Sequence, residues 1–350
     1  MGRMKKQKKI EEIDFVLAWV DGNDPVWLTE KRKYSETIKE NRSIIDQGDH
    51  RYRDWDLLRY WFRAVEKYAP WVHKVHFLTC GQIPEWLNTA HPKLHLVRHE
   101  EYLPPEYLPT FNSHTIELNM HRIDGLAEQF VYFNDDMYIT KPVQPDDFFL
   151  NGLPRDIFAL DAIYCASGSA GSYNCNDLTV INDHFSKKEQ FKKHHKKWFK
   201  RCYGKKKLYQ TAALLPWRWF PGFFYQHLPS NFLKSTLEEV WKAAGEILDA
   251  TSKNKFRDQT QVNQWLFKYW QLVDGRFEPQ SVDIGRCYHL RDKGVEELCE
   301  VIRTGKYALI CINDTDRTTE FEKKKREIQQ AFASILPNRS EYEYEKGELF

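Results

Sequence analysis

Four short apolar runs, separated by helical patterns, constrain this chain more than any other feature. Ile13–Val20, Lys74–Cys80, Lys93–His99 and Gln129–Phe133 each read as a strand. Between them lie a charged helical stretch, Thr29–Glu40, and the segment RDWDLLRYWFRAVEKYAPW. In that segment Leu57, Leu58, Trp61, Phe62 and Val65 recur at helical spacing, Asp54 can cap the start, and Pro70 marks the end. Ser113–Ile123 reads as a further helix. Strands alternating with helices predict an α/β fold with a mostly parallel sheet.

Composition narrows the function classes. The 350 residues allow one large domain or two ordinary ones. With 41% hydrophobic and 29% charged residues, the chain can bury a core and is not a disordered type. The net charge of +2 supplies no overall field for nucleic acid. No apolar run reaches the roughly 20 residues that span a bilayer. The basic start lacks the apolar core of a secretory signal. The seven cysteines are scattered without zinc spacing, Cys165 and Cys175 being the closest pair, which suits free thiols in a reducing cytoplasm. No dinucleotide fingerprint, P-loop or nucleophile elbow is present.

The run FVYFNDDMYIT places Asn134, Asp135 and Asp136 where a strand ends. Ligands of open α/β sheets collect beyond such carboxyl ends, and carboxylates there suit Mg²⁺ or Mn²⁺ held against substrate phosphates. A solvated turn would use the same residues. Ser113, Glu117 and His121 form a polar stripe on the predicted helix, beside the apolar Ile116, Met120 and Ile123. Asp21, Asn23 and Asp24 follow the first strand, either as an ordinary turn or as a nucleotide-facing loop. His227 follows an aromatic run and can move a proton near neutral pH. Cys311–Glu320 repeats an apolar lead into Asn-Asp, at Asn313 and Asp314. Lys187–Lys207 carries eleven Lys/Arg against one Glu, and Leu214–Pro229 is dense in aromatics. Both could form a solvated face, an acceptor groove or a contact with an acidic membrane leaflet.

Several segments together resemble the Stealth proteins, bacterial capsular-polysaccharide phosphotransferases related to the animal N-acetylglucosamine-1-phosphotransferase. They are IDFVLAWVDGNDPVW, RYRDWDLLRYWFRAVEKYAPWVHKVHFLTCGQIPEWLN and LPTFNSHTIELNMHRIDGLAEQFVYFNDDMYI, followed by HLPSNFLK and CINDTDRTTE. Departures are mild: Ala18 stands where relatives often have Thr, and Leu57 where they more often have Glu. The stretch from about residue 150 to 220 offers little to match.

The resemblance implies a GT-A-like Rossmann-type sheet with a helical, aromatic- and Lys-rich insertion. It implies transfer of a hexose-1-phosphate from a UDP-sugar, UDP-GlcNAc or a related UDP-hexose, to a glycan hydroxyl with release of UMP. Asp136 and Asp314 would hold Mg²⁺ or Mn²⁺, His227 would act as base or stabilise the phosphoryl group, and Arg257 would neutralise phosphate. Trp19, Asp21, Gly22, Asn112, Ser113, Glu117, His121, Asn134 and Asp135 would surround nucleotide and sugar. The expected layout is a basic tail over 1–12, a nucleotide-sugar core over 13–165 and a basic, aromatic insertion over 166–235. A helical return to the core over 236–335 and a polar tail over 336–350 complete it. The implied setting is cytoplasmic, with peripheral contact at the inner face of the membrane. A metal-dependent glycosyltransferase releasing UDP and a non-catalytic glycan-binding protein are the rival readings.

Overall fold

The computed structural model describes residues 11–38, 53–164, 171–290, 294–314 and 319–344. In chain order the strands are β1 (Ile13–Ala18), β2 (Val75–Thr79), β3 (Leu94–Arg98), β4 (Gln129–Phe133), β5 (Met137–Ile139), β6 (Phe149–Leu150), β7 (Leu153–Asp156), β8 (Ser230–Leu233), β9 (Glu278–Pro279), β10 (Gly285–His289) and β11 (Leu309–Asn313). The central sheet has the order β3-β2-β1-β4-β8, parallel from β3 to β4 and closed by an antiparallel β8. The fold class is therefore the one read from the sequence: mixed α/β with a parallel-rich sheet. The order reverses at β1, so β1 and β4 form the switch point beyond whose carboxyl ends a crevice opens.

Both faces of this sheet are covered, which is why its strands are almost continuously apolar. Phe15, Leu17, Val131 and Phe133 pack on one side with Trp61, Phe62 and Val65 of the helix Leu58–Tyr68. Val16, Phe130 and Tyr132 face the other side, against Leu118, Phe232, Leu237 and Leu266. Asp14 interrupts β1 and is fully buried. Its carboxylate meets His73 Nδ1 at 2.8 Å and His76 Nε2 at 3.0 Å, and accepts the backbone N–H groups of Lys74 at 3.1 Å and Ala127 at 2.8 Å. Burial alone would raise its pKa, but the bonds from His76 and Ala127 outweigh that and hold it below the ordinary range.

A second sheet, β10-β11-β5, pairs β10 with β11 in parallel and β11 with β5 antiparallel. Since β5 begins at Met137, the Asn134–Asp136 corner is the hinge between the two sheets. The N–H of Ile312 donates to the carbonyl of Asp136 at 2.8 Å, so β11 is docked directly on that corner.

Several expectations need correction. The helix starting at Ser113 ends at Leu118, and Met120–Arg122 is a separate 3₁₀ turn. Asn119 causes the break: its amide donates to the Thr115 carbonyl at 2.9 Å and to Ser252 Oγ at 3.1 Å, competing with the helical backbone. Asp54 does not cap the helix Leu58–Tyr68, whose cap residue is Leu57. The segment assigned to the insertion contributes β8 to the central sheet. Its Lys-rich stretch forms two helices, Lys187–Trp198 and Lys205–Leu214. Trp198 is fully buried there, stacked on Phe158 at 4.2 Å.

The expected polar tail is anchored where it is described: Leu336 and Tyr342 are buried, and Glu343 pairs with Arg63 at 2.7 Å. Residues 345–350 and most of the basic start lie outside the described residues. Cys175 is disulfide-bonded, against the reading of every cysteine as a free thiol, because pairing follows Cβ geometry that spacing does not reveal. No helix among the described residues is long and apolar enough to cross a membrane.

Candidate active site

A cavity of about 840 Å³ opens beyond the carboxyl ends of β1 and β4. Of the residues singled out from the sequence, Trp19, Ser113, Glu117, Asn134, Asp135, Asp136, His227, Arg257 and Asp314 line it. Each arrives by a local route. Trp19 leaves β1 and stacks on Phe77 at 5.6 Å. The acidic corner follows β4, and Asp314 follows β11.

Asn112, Asp21, Gly22 and His121 do not line the cavity. Asn112 is fully buried and caps the helix Ser113–Leu118 by accepting the His114 N–H at 3.1 Å. Asp21 and Gly22 belong to the turn after β1, where Asp21 Oδ1 accepts the Asn23 N–H at 2.8 Å. His121, beyond the helix break, lies against Trp241, and burial pushes its ring down to about 3.

The acidic corner carries more negative charge than it can comfortably hold. Asp136 Oδ1 is buried without a hydrogen-bond partner. Asp135 keeps an exposed side chain, yet the protein crowded around it, reinforced by the charges of Asp136 and Asp54, pushes its carboxyl up to about 7. Asp54, stripped of water in the same wall, is pushed up to about 6. An unpaired carboxylate oxygen among mutually repelling acids fits a hard divalent cation such as Mg²⁺ or Mn²⁺.

His227 lies on the other side of this corner. Its Nδ1 is 3.8 Å from Asp136 Oδ2 and 3.4 Å from Cys311 Sγ, while Nε2 is 3.2 Å from the Asn134 amide. Burial disfavours the charged ring, but Asp136 and Cys287 outweigh it and hold His227 above its ordinary pKa. On the opposite wall, Arg257 Nη2 donates to Ser113 Oγ, and Ser113 in turn bonds Glu117. Burial raises the Glu117 pKa, a shift that Arg257 and Ser113 only partly offset. The cavity thus holds the Arg257 guanidinium as well as the acidic corner, groups suited to a diphosphate bound with a cation.

Sequence reasoning missed several lining residues. Arg53 grips Asp314 through Nε at 3.0 Å and Nη2 at 3.2 Å, and Trp55 Nε1 adds a bond at 3.3 Å. The charge pair Arg53-Asp54 is the available signal, but a helix start uses the same residue types. Cys287 lines the cavity beside the buried Cys311. The bond from Cys311 makes Cys287 the more acidic thiol of the pair. No local signal marks Cys287; only the strand register brings it in.

Conserved region 1 of the Stealth proteins matches residues 11–39, and conserved region 2 matches residues 51–156. The capsular polysaccharide phosphotransferase WcwK of Streptococcus pneumoniae is 40% identical over 337 residues, covering 96% of this chain and 99% of that protein. The chain belongs to the Stealth family. The receptor polysaccharide phosphotransferase WefC of Streptococcus gordonii is 40% identical over 335 residues, covering 95% of this chain and 99% of its own length. The exopolysaccharide phosphotransferase cps2G of Lactiplantibacillus plantarum is 39% identical over 334 residues, covering 95% of this chain and 96% of its own length. As a Stealth protein the chain is an enzyme of the phosphotransferase class. Mouse xyloside xylosyltransferase 1 aligns with 86% of this chain and 96% of its own at 12% identity and a TM-score of 0.32, a likeness too low to carry an argument.

Proposed function

We propose that this Stealth phosphotransferase moves an N-acetylhexosamine-1-phosphate from its UDP-sugar to a hydroxyl of a capsular or exopolysaccharide chain. The acceptor oxygen attacks the phosphorus attached to the sugar. A new P–O bond forms, the bond to the bridging diphosphate oxygen breaks, and UMP leaves. One observation carries this reading: Asp136 and Asp314, far apart in sequence, line one cavity with His227 and Arg257.

His227 takes the proton of the acceptor hydroxyl. Arg257, oriented by Ser113 and Glu117, neutralises the non-bridging phosphate oxygens. Trp19 borders the nucleotide with its ring. Asp136 would hold Mg²⁺ or Mn²⁺, supported by Asp135 and Asn134. Asp314 accepts from Arg53 on both oxygens and would join through their remaining lone pairs. Such a cation supplies charge neutralisation at the diphosphate when bound.

The setting we propose is the cytoplasmic face of the membrane, where an acidic leaflet would attract the basic segment. Tyr209, Trp217 and Trp219 are 79%, 64% and 52% exposed beside Lys205–Lys207 and Arg218, a mixture suited to a headgroup layer.

The deciding experiment incubates the protein with a panel of UDP-sugars, acceptor glycan and Mg²⁺ or Mn²⁺, and weighs the released nucleotide. UMP supports the proposal. UDP would make the protein a glycosyltransferase, and no turnover with any donor would favour a glycan-binding role.

A further inference from the structure

Beside His227 the cavity holds two thiols that the proposed reaction does not use. Cys287 and Cys311 are direct partners on the parallel strands β10 and β11, so their thiols project from the same face. A ring nitrogen of His227 and the sulfur atoms of Cys287 and Cys311 all lie within 4.8 Å of one another. Asp136 borders this trio: its Oδ2 is 3.2 Å from Cys311 Sγ and 3.8 Å from His227 Nδ1.

These separations approach those of a tetrahedral soft-metal centre. With metal–sulfur bonds of about 2.3 Å and metal–nitrogen or metal–oxygen bonds of about 2.0–2.2 Å, the edges of the tetrahedron are about 3.3–3.8 Å. The edge from Cys311 Sγ to His227 Nδ1, at 3.4 Å, lies in that range, and the edges to Cys287 are within 4.8 Å. The ring is also positioned from behind. The Asn134 amide faces His227 Nε2 at 3.2 Å, and with its oxygen turned inward it would accept Nε2–H and leave Nδ1 free to ligate.

We propose that His227, Cys287 and Cys311, with the fourth position left to water, form a binding site for a thiophilic divalent cation, Zn²⁺ in the first instance, separate in chemistry from the hard cation of the transfer reaction. Thiolate and imidazole donors select Zn²⁺ over Mg²⁺, which prefers oxygen and retains its water. The consequence rests on the proposed function. Zn²⁺ held here occupies His227, the proposed base, so it blocks the Mg²⁺-dependent reaction instead of assisting it.

Titrating the chelator-stripped full chain with Co²⁺, a spectroscopic stand-in for Zn²⁺, tests the site without reference to turnover. We expect a thiolate-to-cobalt charge-transfer band and tetrahedral visible bands that saturate at one equivalent and vanish on adding Zn²⁺. Cys287→Ser, at the half-buried strand, should weaken Co²⁺ binding by at least the roughly 10- to 100-fold that even an outer partner is worth, and should dim the charge-transfer band. Cys202→Ser, which alters an exposed thiol elsewhere, should leave both unchanged. Absence of a charge-transfer band in the native protein, or an unaltered band in Cys287→Ser, overturns the site. Far-ultraviolet circular dichroism checks that each variant is folded. In a turnover assay, Zn²⁺ should inhibit the native enzyme and inhibit Cys287→Ser only at higher concentration. Equal sensitivity would refute the blocking role, while failure of the donor assignment would leave the cobalt result intact.

Discussion

Asp136→Asn should make the protein more stable and nearly inactive, and added cation should reverse the stability order. The change keeps the side chain's shape and removes one charge from a corner where Asp135 is already pushed up to about 7. Two carboxylates about 5 Å apart repel by about 3 kcal/mol at an effective dielectric of about 20. Asp136 keeps 25% of its side-chain surface exposed, so solvent reduces this term, and about 1 kcal/mol is a fair expectation. In chelator the variant should therefore unfold at higher urea than the native chain. With Mg²⁺ or Mn²⁺ at one hundred times its Kd, the native chain gains about 2.7 kcal/mol. The variant, lacking the ligand, gains little, and the two curves change places.

Turnover moves the other way. Losing a ligand that positions and neutralises the diphosphate costs about 4 kcal/mol of barrier, or about 10³-fold in kcat. Urea titrations in chelator and in saturating cation, with kcat from UMP release, test all three parts. A variant less stable than the native chain in chelator would refute the charge-repulsion argument. A variant within tenfold of native kcat would remove Asp136 from the reaction.

Arg63→Ala should cost about 3–5 kcal/mol in urea unfolding, because it strands the buried Glu343 carboxylate that Arg63 meets at 2.7 and 2.8 Å. The double change Arg63→Met, Glu343→Leu should recover most of that loss. Arg257→Lys keeps the charge but loses the planar fork, so kcat/KM should fall about 10- to 100-fold with the melting temperature unchanged. In chelator, the stability of the native chain relative to Asp177→Asn should be higher at about pH 5.5 than at about pH 8. Burial raises the folded pKa of Asp177 and of Glu117 above their unfolded values of about 3.9 and 4.3. The folded chain then holds more protons from about pH 4 upward, and stability falls as pH climbs toward each folded pKa. Asp177→Asn should flatten that slope, and an unchanged slope would refute the assignment.

What could be read from the sequence was whatever local pattern determines. β1 and β4 are apolar on both faces because both faces are covered, so their ends, and Asp136 at one of them, stood out without knowledge of the fold. The helix beginning at Ser113 was harder. Its apolar spacing runs on through Met120 and Ile123, yet the Asn119 amide finds a better partner in Ser252, far along the chain, and the polar stripe ends before His121. A periodicity argument cannot weigh a competitor 133 residues away. The C-terminal stretch reads as polar, but a buried Arg63–Glu343 pair converts that polarity into an anchor.

The same distinction separates the two metal readings. Carboxylates that follow a strand announce a hard-cation site through local order, since the turn and the ligand are the same residues. The thiol pair has no such signature. Cys287 and Cys311 meet only because β10 and β11 run parallel in one particular register. A shift of one residue would point the two thiols to opposite faces of the sheet. Leu309, Ile310 and Cys311 are all buried in the core, so packing of the whole strand sets the register. Core packing therefore determines whether the thiols meet, and substitutions that repack β11 without touching a donor atom should alter Co²⁺ affinity while leaving the Asp136 corner, held by the Ile312 backbone, in place.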